Sequence, residues 1–114
     1  MAMQLQVHDH VVVVKLGGEL DHHEVETIRD QIEAELERTG YRGLVMSFRD
    51  LDFVDSSALG LILGRYRTVT ERHGRMVLCE VNESLARLFE LSGLKRILPV
   101  AATVDEALQC LREG

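Results

Sequence analysis

Tryptophan is absent from this chain, and there are only three phenylalanines and two tyrosines. That leaves no set of aromatic faces on which nucleic-acid bases would stack. Positive charge is short as well. With 13 lysines and arginines against 19 aspartates and glutamates, the net charge is -6 and the isoelectric point lies near 5.3. Such a balance works against an electrostatic grip on nucleic acid or on an anionic membrane face. No apolar run approaches the roughly 20 residues of a membrane span. The first residues also lack the basic stretch, apolar run and small-residue cleavage site of a leader, so a cytoplasmic location is expected. Cysteine is confined to Cys79 and Cys110. They are far apart, with Cys79 in an apolar run, which favours free thiols over a bridge. The histidines offer no metal-ligand spacing: His8 and His10 alternate along a hairpin, His22 and His23 are adjacent and face apart, and no cysteine joins them. No G-x-x-x-x-G-K-[ST] phosphate loop occurs, and no cofactor is expected.

What is present suffices for one domain over residues 1–114 with one core. There is no internal repeat, linker or low-complexity tract. Residues 3–7 alternate polar and apolar, residues 11–16 are densely β-branched, and His8, Asp9 and His10 lie between them, which predicts a hairpin whose second strand lies deeper in a sheet. Gly17 and Gly18 are expected to end that strand. Asp21 and Glu24 then form a D-x-x-E capping box. The helix that it opens turns Val25, Ile28, Ile32 and Leu36 inward and stops at Gly40. A third strand is expected over 41–48 and a fourth over 76–81. Asn82 caps a helix with Leu85, Leu88 and Phe89 inward and Gly93 at its end. The short segment 97–100 suits a sheet edge because Pro99 cannot donate to a central ladder. Thr103 and Glu106 make a last capping box, with Val104, Ala107, Leu108 and Leu111 on the apolar side.

A hairpin followed by alternating helices and strands implies right-handed crossovers. The expected fold is α/β, a mixed but mostly parallel sheet of four to five strands with about four helices. Functional groups in such sheets gather at the carboxyl ends of the strands. The turns at 17–23 and 52–57 both fall there and are expected to form one surface.

The second of these turns belongs to the most informative stretch, F-R-D-L-D-F-V-D-S-S-A-L-G-L-I-L-G-R-Y over 48–66. Asp55 or Ser56 can cap the helix, because a short side-chain oxygen there accepts from an orphan amide of the first turn. Leu59, Ile62, Leu63, Tyr66 and Val69 recur at helical spacing and predict the buried face. Ser56, Gly60 and Gly64 lie on another stripe. Each glycine costs roughly 1 kcal/mol relative to alanine inside a helix, so the missing side chains have a use. Either the helix lies tight on its own fold there, with Ser56 as a cap, or a hydroxyl is displayed beside a smooth surface for a partner protein.

The run D-S-S-A-L-G-L-I-L-G-R-Y, with G-G-E-L-D-H-H at 17–23 and L-F-E-L-S-G-L at 88–94, resembles the anti-sigma factor antagonists of the STAS family over nearly the whole chain. The resemblance implies a STAS fold and a regulator that is not an enzyme. Its unmodified form would bind an anti-sigma factor that is also a serine kinase, using ATP, and so release a sigma factor in sporulation. It further implies that the kinase phosphorylates Ser56, the first serine of the motif, that a serine phosphatase reverses this, and that Ser57 is structural. The partner surface would comprise Glu19, Asp21, Asp55, Ser56, Ser57, Gly60, Gly64 and Arg65. Ala58 stands where close relatives tend to carry glycine.

Two other readings compete. Ser56 could act as a nucleophile with His22 or His23 as its base, but the chain has no G-x-S-x-G elbow or glycine-rich oxyanion loop and little length for a substrate pocket. A STAS domain could also serve as a scaffold or transporter accessory subunit without a kinase cycle; the intact Ser56 beside Glu19, Asp21 and Asp55 favours the switch.

Overall fold

The computed structural model describes residues 2–113, without the side chains of Ala2 and Phe53. The chain runs β1 (Ala2–His8), β2 (Val11–Leu20), α1 (His22–Thr39), β3 (Gly43–Val54), α2 (Ser57–Glu71), β4 (Arg75–Cys79), α3 (Glu83–Ser92), a 3-10 turn (Leu94–Arg96), β5 (Val100–Ala101) and α4 (Val104–Glu113). The five strands lie in the order β1-β2-β3-β4-β5. Only the β1–β2 hairpin is antiparallel, and β2 to β5 are parallel. This is the expected mixed α/β sheet with four helices.

The period of two in the strands divides the interior into two layers. Val12, Val14, Leu16, Leu44, Met46, Phe48, Met76 and Leu78 face one side, where α1, α2 and α3 bring Ile28, Ile32, Leu36, Leu61, Ile62, Leu85 and Phe89 onto them. The intervening Val11, Val13, Val45, Val77 and Cys79 face the other side and meet Ala107 and Leu108 of α4. Strands buried on both faces therefore read as continuous apolar runs. Each helix starts and ends where its local chemistry dictates. Asp21 accepts from the amides of His23 and Glu24 at 3.0 and 3.3 Å, Asn82 accepts from Leu85 at 2.9 Å, and Thr103 accepts from Glu106 at 3.1 Å. Gly40 and Gly93 close α1 and α3 at φ +68° and +77°, a left-handed conformation that favours glycine.

The strand bounds differ from expectation. Gly17 and Gly18 do not end β2. The strand continues to Leu20, with register shifts between Lys15 and Gly17 and between Gly18 and Glu19. Gly18 adopts φ +76°, so the glycines bend the strand through bulges instead of stopping it. β3 begins at Gly43 rather than residue 41 and runs to Val54 rather than 48, because this extended β2 gives it a partner: Glu19 pairs with Phe53 and Leu20 with Val54. β4 covers Arg75–Cys79 rather than 76–81. At Glu80 the backbone turns to φ +56°, and the carboxylate accepts from the buried Ser47 hydroxyl at 2.7 Å. Of the segment 97–100 only Val100 is strand, paired at the sheet edge as expected. Among the described residues no helix is long and apolar enough to cross a membrane.

Between α2 and β4, Gly74 is fixed by close approach. A β-carbon there would stand 2.0 Å from the Arg42 carbonyl oxygen. Gly74→Ala is expected to destabilise the fold by about 1–3 kcal/mol through forced backbone movement. Urea denaturation checks this; an unshifted midpoint would show that the Arg42 segment yields freely.

Candidate functional site

The prolonged β2–β3 ladder delivers both acidic turns to one edge. After Leu20 pairs with Val54, the Asp55 amide donates to the Leu20 carbonyl at 3.4 Å, so the start of α1 lies beside the start of α2. The expected common surface is therefore built, with His22 close enough to act on the Asp55 charge.

At the start of α2 the side chains divide the work. Asp55 Oδ1 accepts from the Ser57 amide at 2.8 Å and also from the Ser57 hydroxyl. These two bonds from Ser57, hydroxyl first, hold the Asp55 carboxyl below the usual carboxylate range, with His22 adding to the effect. Asp55 is thus the side-chain cap. Ser56, the other candidate, has helical backbone angles and makes no side-chain capping bond. Its side chain is exposed, and among the described residues its hydroxyl has no hydrogen-bond partner. Ser57 is half-buried and tied down, whereas Ser56 is open and free.

The solvent stripe of α2 continues from Ser56. β-carbons built at Gly60 and Gly64 would meet nothing within 4 Å. The reading in which these glycines let α2 lie tight on its own fold is therefore wrong. Both leave open space on the outer side.

Two expectations about α2 need correction. Leu63 does not join the buried face; it is 42% exposed between the two glycines, while the buried set is Ala58, Leu61, Ile62, Arg65 and Val69. Arg65, expected on the partner surface, lies beneath the helix. Its side chain is 8% exposed, and its Nε stands 2.7 Å from Glu33 Oε1 on α1, an oxygen that also accepts from the Thr68 hydroxyl at 2.9 Å. Burial lowers the guanidinium pKa, the nearby Glu33 carboxylate opposes that shift, and the side chain stays charged. A polar residue in the core rolls the helix, and the apolar Leu63 is left outside. A helical wheel that admitted arginine to the inner face would have found it.

The remaining carboxylates are placed as follows. Glu19 is exposed and Asp21 half-buried. Asp21 is chiefly the α1 cap, so of the expected anionic trio only Glu19 is not engaged at a helix start. Ala58 is fully buried; its methyl group belongs to the core and leaves the outer stripe unchanged. The rings of His22 and His23, expected to face apart, instead lie against each other, 4.1 Å apart centre to centre. No described group of three or more histidine, cysteine or acidic side chains could hold a metal ion. Cys79 is a free thiol pushed up to about 12 by burial, with the Glu80 charge adding.

Ser56 thus presents a free hydroxyl at a helix start, beside a smooth stripe with one exposed leucine, an arrangement open to contact with another protein. The pattern of the STAS domain matches residues 2–107, and the chain belongs to the STAS domain family. An anti-sigma F factor antagonist of Paenibacillus polymyxa is 40% identical over 102 residues, which is 88% of this chain and 87% of that protein. The solved structure of the anti-sigma factor antagonist SpoIIAA in its unphosphorylated form superposes with a TM-score of 0.86 at 36% identity, covering 99% of this chain and 98% of that one. The Bacillus cell fate determinant SpoIIAA in the phosphorylated form gives 0.76 at 38% identity, covering 95% and 97%.

The Arg65 pair makes a direct test. In Glu33→Ala a guanidinium remains beneath α2 without its counter-charge, and the expected loss is about 2–3 kcal/mol, discounted because Glu33 is partly solvated. Adding Arg65→Met should recover most of it. Thermal and urea unfolding of the native chain and the two variants decide; a stable Glu33→Ala chain would remove the pair as the element that sets the helix rotation.

Proposed function

We propose that this protein is an anti-sigma factor antagonist that works by partner switching. Its unphosphorylated form binds an anti-sigma factor with serine kinase activity, carrying ATP or ADP, and frees a sigma factor for transcription in sporulation. Phosphorylation of Ser56 by that kinase abolishes binding, and a serine phosphatase restores it. The protein binds no nucleic acid itself and works in the cytoplasm.

One observation carries the reading: the Ser56 hydroxyl is exposed and unengaged where its neighbour Ser57 is tied to Asp55. The acceptor is thereby distinguished from the adjacent serine by access. The docking surface comprises Ser56, Gly60, Leu63 and Gly64, with Glu19 beside it. Asp21 and Asp55 shape its rim from their capping positions, with Ser57 held there by Asp55, and Arg65 supports it from below. The naming of relatives as anti-sigma F factor antagonists and the phosphorylated form of SpoIIAA agree with this assignment.

The physics of the switch lies in the interface. A phosphate adds a charge of about -1.5 to -2. Pressed against a partner without a cationic mate, it loses solvation and meets the carboxylates already present. About 1.4 kcal/mol is tenfold in affinity, so one phosphate is enough to empty the site.

Incubation with a kinase-type anti-sigma factor and ATP should add one phosphate to the native chain and none to Ser56→Ala, as read by intact mass, and the complex formed beforehand should dissociate. A complex that persists with no mass change would favour a scaffold without a kinase cycle. Gly60→Leu is expected to weaken that complex at least tenfold, the equivalent of about 1.4 kcal/mol, while shifting the unfolding midpoint little, since the space at Gly60 is open. Equal losses in binding and stability would return the glycine to a packing role.

A further inference from the structure

We infer that Asp55 keeps a phosphate on Ser56 off its own helix, so that the phosphate stands out in solvent where partner and phosphatase meet it. The inference rests on Ser56 being the acceptor proposed above and concerns what happens to the phosphate once attached.

A helix start ordinarily draws in an anion because its first amides lack partners. At α2 the amides of Ser57, Ala58 and Leu59 are engaged. The Ser57 N–H donates to Asp55 Oδ1 at 2.8 Å. The Ala58 N–H donates to the Asp55 carbonyl oxygen and the Leu59 N–H to the Ser56 carbonyl oxygen, each at 3.1 Å. The Ser57 hydroxyl is also held by Asp55. The group holding Ser57 is itself an anion, so a phosphate folding back would have to displace a carboxylate and sit against its charge. Asp55 is positioned for this by the ladder that ties its amide to Leu20. Its carboxylate thus makes two contributions: it caps the helix, and it denies that capping site to the modified neighbour. A phosphate absorbed by the helix would be partly neutralised and shielded. One left outside keeps its full charge for repelling the partner and stays accessible for hydrolysis. Asp55 is a positioning residue in this sense and takes no part in the transfer.

The test uses the full chain with phosphoserine incorporated at position 56 during synthesis, so it does not depend on any kinase. Native protein, Asp55→Asn and Asp55→Ala are compared with and without the phosphate. The Ser57 amide proton is followed by NMR, and the phosphate is titrated by its phosphorus signal, in a His22→Gln background as well so that imidazole titration does not contribute. In the native chain the Ser57 amide should hardly move on phosphorylation, and the second phosphate pKa should stand at or above its ordinary value of about 6. In Asp55→Ala the amide should move strongly downfield and the phosphate pKa should fall by roughly half a unit or more. Asp55→Asn keeps an acceptor oxygen and drops the charge, so its amide should stay in place while the phosphate pKa falls by a smaller amount. The inference is overturned if the native Ser57 amide moves as far as that of Asp55→Ala, or if the phosphate titrates alike in all three. Should Asp55→Ala fail to fold, a phosphate pKa in Asp55→Asn equal to the native one overturns it equally. Whether a kinase selects Ser56 at all is decided separately by the mass measurement.

Discussion

The parallel pairing of β2 with β3 is the constraint on which the site depends. Had β2 stopped at its glycines, the ladder would have ended near Lys15 and Ser47, and the two acidic turns would have left the sheet independently. Instead the bulges carry the pairing on to Leu20 and Val54. The last rung holds the Asp55 amide. A backbone ladder is stiff, so the start of α2 is fixed relative to the start of α1 without any side chain having to reach across. The open end of the parallel sheet becomes a platform of two helix starts.

The rotation of α2 on that platform is the second determinant. Apolar burial is non-directional, and Leu59, Leu61, Ile62, Leu63 and Tyr66 would allow more than one inward face. The Arg65–Glu33 pair distinguishes between them, because a guanidinium taken out of water needs its counter-charge in one place. With Arg65 inward, Ser56, Gly60, Leu63 and Gly64 point outward together. The interior therefore contains a charged pair whose value lies in orientation more than in net stability. The outer stripe is smooth because the inner one is occupied.

Much of this was legible in the sequence. The hairpin, the helix caps at Asp21, Asn82 and Thr103, the helix ends at Gly40 and Gly93, and the sheet class followed from local chemistry and periodicity. Strand ends were less so. Gly17 and Gly18 carry the same letters whether they terminate a strand or bulge within it, and only the presence of a partner strand decides. The inner face of α2 was misjudged at Leu63 and Arg65 for a related reason: hydropathy ranks leucine above arginine, and the Glu33 that reverses the order lies 32 positions away in the chain, on another helix. The capping role at 55 or 56 was left open by sequence, since both residue types cap well. Backbone angles separate them, because Ser56 already has helical values and cannot present its oxygen to the turn above.

The buried Cys79 has a practical bearing on how this molecule can be observed. With its thiol pushed up to about 12, it is almost entirely protonated at neutral pH and shut off from reagents, which leaves the half-buried Cys110 as the thiol that an alkylating dye would find. Exchanging Cys110 for serine would yield a chain silent to maleimides. A reactive cysteine then placed at the exposed Arg67 would carry a fluorophore or spin label one turn beyond Leu63, reporting the arrival and departure of a bound protein while leaving the Ser56 hydroxyl untouched.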